Sequence, residues 1–247
     1  MGRYKYSREI TVPEYDCDSF LRLRPSVMLR YIQTVAGEHL ETIDLDYETL
    51  FNEGFVFVVA GTALKIYRSP ISGEKIVLST APIMGQGAHM MRETVIDSID
   101  GERLVECQVN WALIDANSRK LLRASDFPHE LPLLEGEWTP FFDPRKIRIK
   151  PVREKSAVRP VRLSDLDRNI HMNNTVYADV ILDCFGEDYL KSGGVDTMFI
   201  RYHLQAQLGD DLTLEYGFSD NTYSVGACCG DKHCFEGAFS LKPLESV

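Results

Sequence analysis

The sequence has no apolar run long enough to cross a bilayer. Its longest, Phe55 to Ala60, falls far short of the about 20 residues a spanning helix needs. Met1 to Tyr6 lack the apolar stretch of a secretory leader, and Tyr6 stands where an N-myristoylation signal needs Ser or Thr. A cytoplasmic protein is expected, with no membrane partner. Cysteine is scarce and unpatterned: six residues, no C-x-x-C pair and no regular framework. Cys107, Cys184, Cys228 and Cys234 fall in apolar strand or helix patterns and read as small, reduced core residues. A cysteine nucleophile paired with a distant His is an alternative, although no Cys adjoins the polar cluster described below. Bases are outnumbered, with 27 Lys and Arg against 37 Asp and Glu and a net charge of −10, which argues against nucleic acid as partner.

What is present is the composition of a soluble globular protein: 247 residues, 44% apolar and 26% charged, enough for one large domain or two ordinary ones. Tyr4 to Tyr15 alternates as a first strand. Ser26 is placed to cap a helix with the apolar stripe Met28, Tyr31, Ile32, Val35, Ala36. Tyr47 to Asn52 reads as a short helical turn ended by Gly54. Four strands follow at Phe55–Tyr67, Lys75–Ile83, His89–Ser98 and Glu102–Ile114, punctuated by Ser72-Gly73, Asp100-Gly101 and Asn117-Ser118. A long helix among antiparallel strands is an α+β unit.

From Ala124 to Lys150 the pattern dissolves among Pro128, Pro132, Gly136, Pro140 and Pro144, the signature of a linker. Arg145 to Arg162 then holds eight Lys or Arg against Glu154 alone. Ile147, Ile149 and Val152 alternate with some of these bases, so part of the run reads as an exposed edge strand. Beyond it the first half recurs. Lys65-Ile66-Tyr67 to Gly73-Glu74-Lys75-Ile76 matches Arg201-Tyr202-His203 to Gly209-Asp210-Asp211-Leu212, and Gly230-Asp231 repeats the Asp100-Gly101 hairpin. Duplication of one unit is the economical explanation, with domains over 1–135 and 150–247 and a linker over 136–149.

The chemistry concentrates in Ser164 to Tyr177. Asp167, Asn169 and His171 alternate, and in an extended segment all three would face one side. Tyr177, Val180, Ile181 and Cys184 then recur as one face of a buried helix, with Asn173 or Asn174 as N-cap. The helix-opening N–H groups are candidates to stabilise an oxyanion. His171 is the natural proton shuttle, Asn169 would orient a water or a carbonyl, and Asp167 would hold the imidazole. A single His without ligand spacing argues against a metal site, and no metal or cofactor is expected. The first copy carries Asp16-Cys17-Asp18-Ser19-Phe20 at this place, without the Asn and the His.

The Asp-x-Asn-x-His run followed by Asn-Asn and an aromatic residue resembles the second-domain motif of acyl-acyl carrier protein (ACP) thioesterases. Tyr31-Ile32-Gln33, His39, Tyr67-Arg68, Gly101-Glu102, Trp111 to Asp115 and Arg119-Lys120 are similar to further landmarks of that family, in its order. The resemblance implies a tandem double hot dog fold, with the acyl chain held in the first domain and catalysis in the second. It implies hydrolysis of medium- or long-chain acyl-ACP to free fatty acid and holo-ACP, with ACP as partner; self-association into a homodimer stays open. Where that family generally has Glu, on the strand after the helix, this sequence has Gln205, which makes Asp167, Asn169, His171 and Gln205 the expected site. Acyl-coenzyme A hydrolysis, a non-catalytic acyl-thioester-binding protein and a hot dog dehydratase are the alternatives.

Overall fold

The structure, a computed structural model, describes residues 3–83 and 85–244; Met1 and Gly2, part of the leader reading, lie outside them. The chain forms two compact units, Met1–Arg145 and Lys146–Val247. No helix among the described residues is long and apolar enough to cross a membrane.

In the first unit, β1 (Tyr6–Thr11) precedes helices α1 (Pro25–Glu41) and α2 (Tyr47–Asn52). Strands β2 (Phe55–Ile66), β3 (Lys75–Pro82), β4 (His89–Ser98) and β5 (Arg103–Asp115) follow. They make an antiparallel sheet in the order β1-β3-β4-β5-β2. Helix α1 starts at Pro25, whose fixed φ suits a first helical position, with Arg24 at the boundary. Ser26, expected as the cap, instead lies inside the helix and is buried. The predicted stripe does face the core: Met28, Ile32, Val35 and Ala36 are buried, whereas Tyr31 is half-buried and donates its hydroxyl to Asp16. The two units divide at Arg145/Lys146, inside the segment 136–149 read as a linker. Just before that segment Leu134 N–H bonds Pro82 O and Glu135 N–H bonds Arg3 O, and at its start Arg3 donates to Glu137 O.

The second unit repeats this plan. β6 (Lys155–Pro160), α3 (Val176–Asp183), α4 (Gly186–Leu190), β7 (Val195–Tyr202), β8 (Asp211–Ser219), β9 (Thr222–Cys229) and β10 (Lys232–Leu241) give an antiparallel sheet in the order β6-β8-β9-β10-β7. Position for position this is the order of the first sheet, a helix packed on each: two hot dog units in one chain. Tyr177 of α3 meets Phe235 edge-on at 4.8 Å, and Gly237 lets Ile181 approach so closely that a Cβ there would meet its Cδ1 at 2.2 Å. The edge strand expected within the basic run is β6, 155–160, after the alternating Ile147, Ile149 and Val152. Pro151 and Val152 cross the sheet face instead, each within 2.7 Å of where a Cβ would stand on Gly226 and Gly217.

The first unit also buries a charge. Arg92 Nη1 donates to His39 Nδ1 at 3.1 Å and to Thr80 Oγ1 at 3.3 Å. Burial, then the Arg92 charge, push the His39 imidazole down from 6.5 to about 4. An imidazole that protonates near 6.5 when unfolded but stays neutral in the fold weakens the native state as pH falls from 6.5 toward 4. His39→Gln keeps an acceptor for Arg92 and does not titrate. Its melting temperature is expected to fall less than that of the native protein between about pH 7 and about pH 5. Equal declines in the two proteins would remove His39 as the cause.

Candidate active site

The Asp167–His171 run is a tight turn, not the extended segment its alternation predicts. Leu166 and Met172 bridge antiparallel across it, Asp167 N–H donates to His171 O at 2.8 Å, and Ile170 adopts φ +62°. Asp167 Oδ1 accepts the backbone N–H of Asn169 at 2.7 Å and, more weakly, that of His171 at 3.4 Å. An aspartate that bonds its own backbone two residues on is a standard turn former. Asp167 therefore shapes the loop that presents Asn169 and His171. It does not hold the imidazole: His171 Nδ1 is buried with no hydrogen-bond partner among the described residues.

Below the turn, Asp165 is the anchor that sequence reasoning missed. Its carboxylate accepts Arg159 Nη1 and Nη2, both at 2.8 Å, and Arg162 N–H at 2.8 Å, while its carbonyl accepts Asn173 N–H at 2.8 Å. Bidentate guanidinium pairing holds this carboxyl below the ordinary aspartate range, with the Arg162 N–H adding to it. The signal available in the sequence was the basic run itself. Within it Arg159 is committed to Asp165, Arg153 to Glu215 at 3.0 Å and Arg145 to Asp143 at 2.8 Å.

Thr175, not Asn173 or Asn174, stands at the N-cap of α3; Asn173 supports it from two residues upstream, its Oδ1 accepting both the N–H and the hydroxyl of Thr175 at 2.9 Å. That service has a consequence for the expected oxyanion donors. The N–H groups of Thr175, Val176 and Ala178 bond Asn173 Oδ1, Asn173 O and Thr175 O, so they are not aimed at a substrate. Tyr177 is buried beneath, its hydroxyl pushed up to about 12 chiefly by burial and accepting Ala206 N–H at 3.4 Å. The thiols of Cys184 and Cys229 are pushed up to about 11 and about 12, burial being the largest cause, which disfavours the thiolate a nucleophile needs.

Gln205 is not on a strand. β7 ends at Tyr202, and Gln205 is exposed in the loop that follows. The loop nevertheless runs beside the turn. His171 bridges antiparallel to Gln207, and Met172 N–H donates to Ala206 O at 2.8 Å. In that register Gln205 falls opposite Asn173, a diagonal neighbour of His171, at a typical Cα separation of about 7–8 Å.

The first unit holds the same turn with different chemistry. Cys17 bridges Leu23, Asp18 N–H donates to Arg22 O at 2.8 Å, and Asp18 Oδ1 accepts Phe20 N–H at 2.8 Å and Arg22 N–H at 3.0 Å. Leu21 has φ +60°, as Ile170 has +62°. Arg22 bridges Ile71 as His171 bridges Gln207. Asp18, Phe20, Arg22 and Ile71 thus stand where the second unit has Asp167, Asn169, His171 and Gln207. Arg22 closes its copy by donating Nε to Asp18 Oδ2 at 2.9 Å, with its guanidinium 4.5 Å over the Phe20 ring.

Comparison with known proteins agrees with this two-unit reading. Residues 3–128 match the acyl-ACP thioesterase N-terminal domain and residues 150–229 the C-terminal domain. The chloroplastic palmitoyl-acyl carrier protein thioesterase of Arabidopsis thaliana is 22% identical over 93% of this chain and 59% of its own length. The chloroplastic oleoyl-acyl carrier protein thioesterase 1 of the same plant is 20% identical over 83% of this chain and 61% of its own. The chain thus spans about three fifths of the curated relatives it matches. Among solved structures, an acyl-ACP thioesterase from Bacteroides thetaiotaomicron superposes with a TM-score of 0.87 at 21% identity, covering 96% of this chain and 97% of that one. The 12:0-ACP thioesterase from Umbellularia californica superposes with a TM-score of 0.79 at 15% identity, covering 98% of each chain. The solved structures share the fold, and the two domain matches, which together take in most of the chain, show that it belongs to the acyl-ACP thioesterase family.

Proposed function

We propose that this protein hydrolyses fatty acyl-ACP to free fatty acid and holo-ACP, the second unit carrying the chemistry and the first holding a medium or long acyl chain. The observation that carries this is the paired turn. One backbone design occurs twice, and only the second copy presents an amide and an imidazole, Asn169 and His171, where the first is closed by the Arg22–Asp18 pair. His171 accepts a proton from water as the water attacks the thioester carbonyl. Asn169 Nδ2 would donate to the carbonyl oxygen as charge develops there, a role that the N–H groups of Thr175, Val176 and Ala178, bonded to Asn173 and Thr175, do not offer. Collapse of the tetrahedral intermediate breaks the C–S bond, and the proton passes from His171 to the leaving thiolate. Asp167 contributes through the shape of the loop. Gln205, an amide, would place water rather than accept a proton.

Carrier recognition has to overcome a net charge of −10 on this chain, since acyl carrier protein is itself acidic. Lys146, Lys150, Lys155 and Arg162 are exposed on the second unit and supply a local basic surface for it. A cytoplasmic setting goes with this reading. The test is a panel of acyl-ACP and acyl-coenzyme A thioesters of graded chain length, following thiol release at low and high salt. Turnover of medium or long chains is expected, with salt raising KM for the carrier substrate more than for the coenzyme A substrate, because exposed charges are screened beyond about 8 Å at physiological ionic strength. No thiol release from any acyl-ACP would refute the hydrolase reading.

A further inference from the structure

We propose that Gln207 is a positioning residue for His171: its side-chain carbonyl accepts the Nδ1–H of the imidazole, leaving Nε2 as the basic nitrogen. This deepens, and rests on, the hydrolase reading above.

The argument starts from an unmet need. His171 Nδ1 is buried without a partner among the described residues, and the one nearby carboxylate expected to serve it, Asp167, bonds the turn backbone through Oδ1. A neutral imidazole carries its proton on one nitrogen, and the bond made by that nitrogen decides which end is the base. Gln207 stands directly across from His171. Because Met172 N–H bonds Ala206 O, the two residues form a non-hydrogen-bonded antiparallel pair. That is the pairing in which Cα atoms are closest, about 4.5 Å, and side chains lie on one face. A glutamine at that separation is long enough for a side-chain rotation to bring its amide to the ring. Its backbone is fixed independently, Gln207 N–H donating to Asp210 Oδ2 at 2.8 Å.

The duplicated unit supplies the second line of argument. There Ile71 N–H bonds Glu74 Oε2 at 3.0 Å and Ile71 bridges Arg22, so the backbone arrangement is the same with an apolar side chain. Arg22 there donates its Nε to the Asp18 carboxylate, a side-chain partner that the His171 Nδ1 lacks. The polar residue across the bridge occurs in the copy that has the histidine and is absent from the copy that lacks it.

Three variants test this: Gln207→Ala, Gln207→Leu and Gln207→Glu. The side chain is exposed and its backbone bonds are kept, so all three should fold, which melting curves check. Gln207→Ala and Gln207→Leu are expected to lower kcat about 10-fold with KM little changed, the loss of one orienting hydrogen bond felt in the transition state. Gln207→Glu should recover most of the rate, and the pH–rate profile should move to higher pH, because a carboxylate beside an imidazole favours its charged form. Nitrogen NMR of the His171 ring gives a readout independent of turnover. The native protein should show the Nδ1-protonated tautomer, Gln207→Ala a mixture, and Gln207→Glu a raised titration midpoint. If the native protein turns over no thioester, the hydrolase reading fails while the NMR arm still decides the pairing. Unchanged tautomer in the Ala variant and unchanged midpoint in the Glu variant would overturn the assignment of Gln207.

Discussion

Replacing His171 by alanine is expected to lower kcat for acyl-thioester hydrolysis by about 10²–10⁴-fold, the usual contribution of a positioned acid–base group. The fold should survive. The bonds that set the turn use the His171 backbone N–H and carbonyl, and alanine retains both. KM should change little, because the imidazole acts on the proton in flight rather than on the bound acyl chain. The measurement is thiol release under saturating substrate, beside a melting curve for the variant. Near-native turnover by folded His171→Ala would remove the second-unit turn as the site of chemistry and leave the duplication without a functional reading.

Asp165→Ala is expected to lose both activity and stability, by a route that touches no reacting atom. The variant discards three hydrogen bonds to one carboxylate, two of them from Arg159, and leaves that partly buried guanidinium without its partner. Hydrogen bonds to a charged group contribute about 1.5–3 kcal/mol, so a destabilisation of that size is expected for the unit. Because the folded-state pKa of Asp165 is depressed, the pair's contribution is present above the unfolded pKa of 3.8 and is lost as pH falls through the lower folded value. The native protein and the variant should therefore converge in stability in strong acid. kcat should drop with stability, since the lost carboxylate bonds to Arg159 and Arg162 N–H anchor the start of the loop, Asp165 to Asn173, that holds both Asn169 and His171. Asp165→Asn keeps the shape but not the charge and should fall between. A variant of native stability whose difference from the native protein ignores pH would show that the Arg159 pair is not an anchor.

Local signals account for what was legible. β4 occupies His89–Ser98 as expected, and β2, β3 and β5 agree within a residue at each end. Their alternation and the Gly101 turn, at φ +88°, are properties of neighbouring residues. The edge strand does lie within the basic run, but not on the residues that alternate. Ile147, Ile149 and Val152 alternate like a strand, but Gly217 and Gly226 open the sheet face to Pro151 and Val152, and Val152 N–H bonds Ser224 Oγ at 2.9 Å. No window around residue 150 contains that information. Ser26 is not the cap for a local reason: Pro25 before it already suits the first helical position.

The sequence by itself determined the two-unit plan, the strand positions and the identity of the polar cluster, because repeats, periodicity and residue chemistry are carried along the chain. Tertiary structure alone decided how that cluster is arranged. Asp167, Asn169 and His171 alternate in sequence, yet the turn closed by the Leu166–Met172 bridge directs Asp167 to backbone N–H groups and sets His171 opposite Gln207, a residue far along the chain. The Asp167 carboxylate bonds donors two and four residues away, as turn-forming aspartates do, whereas the residue that faces His171 is set by a pairing distant in sequence.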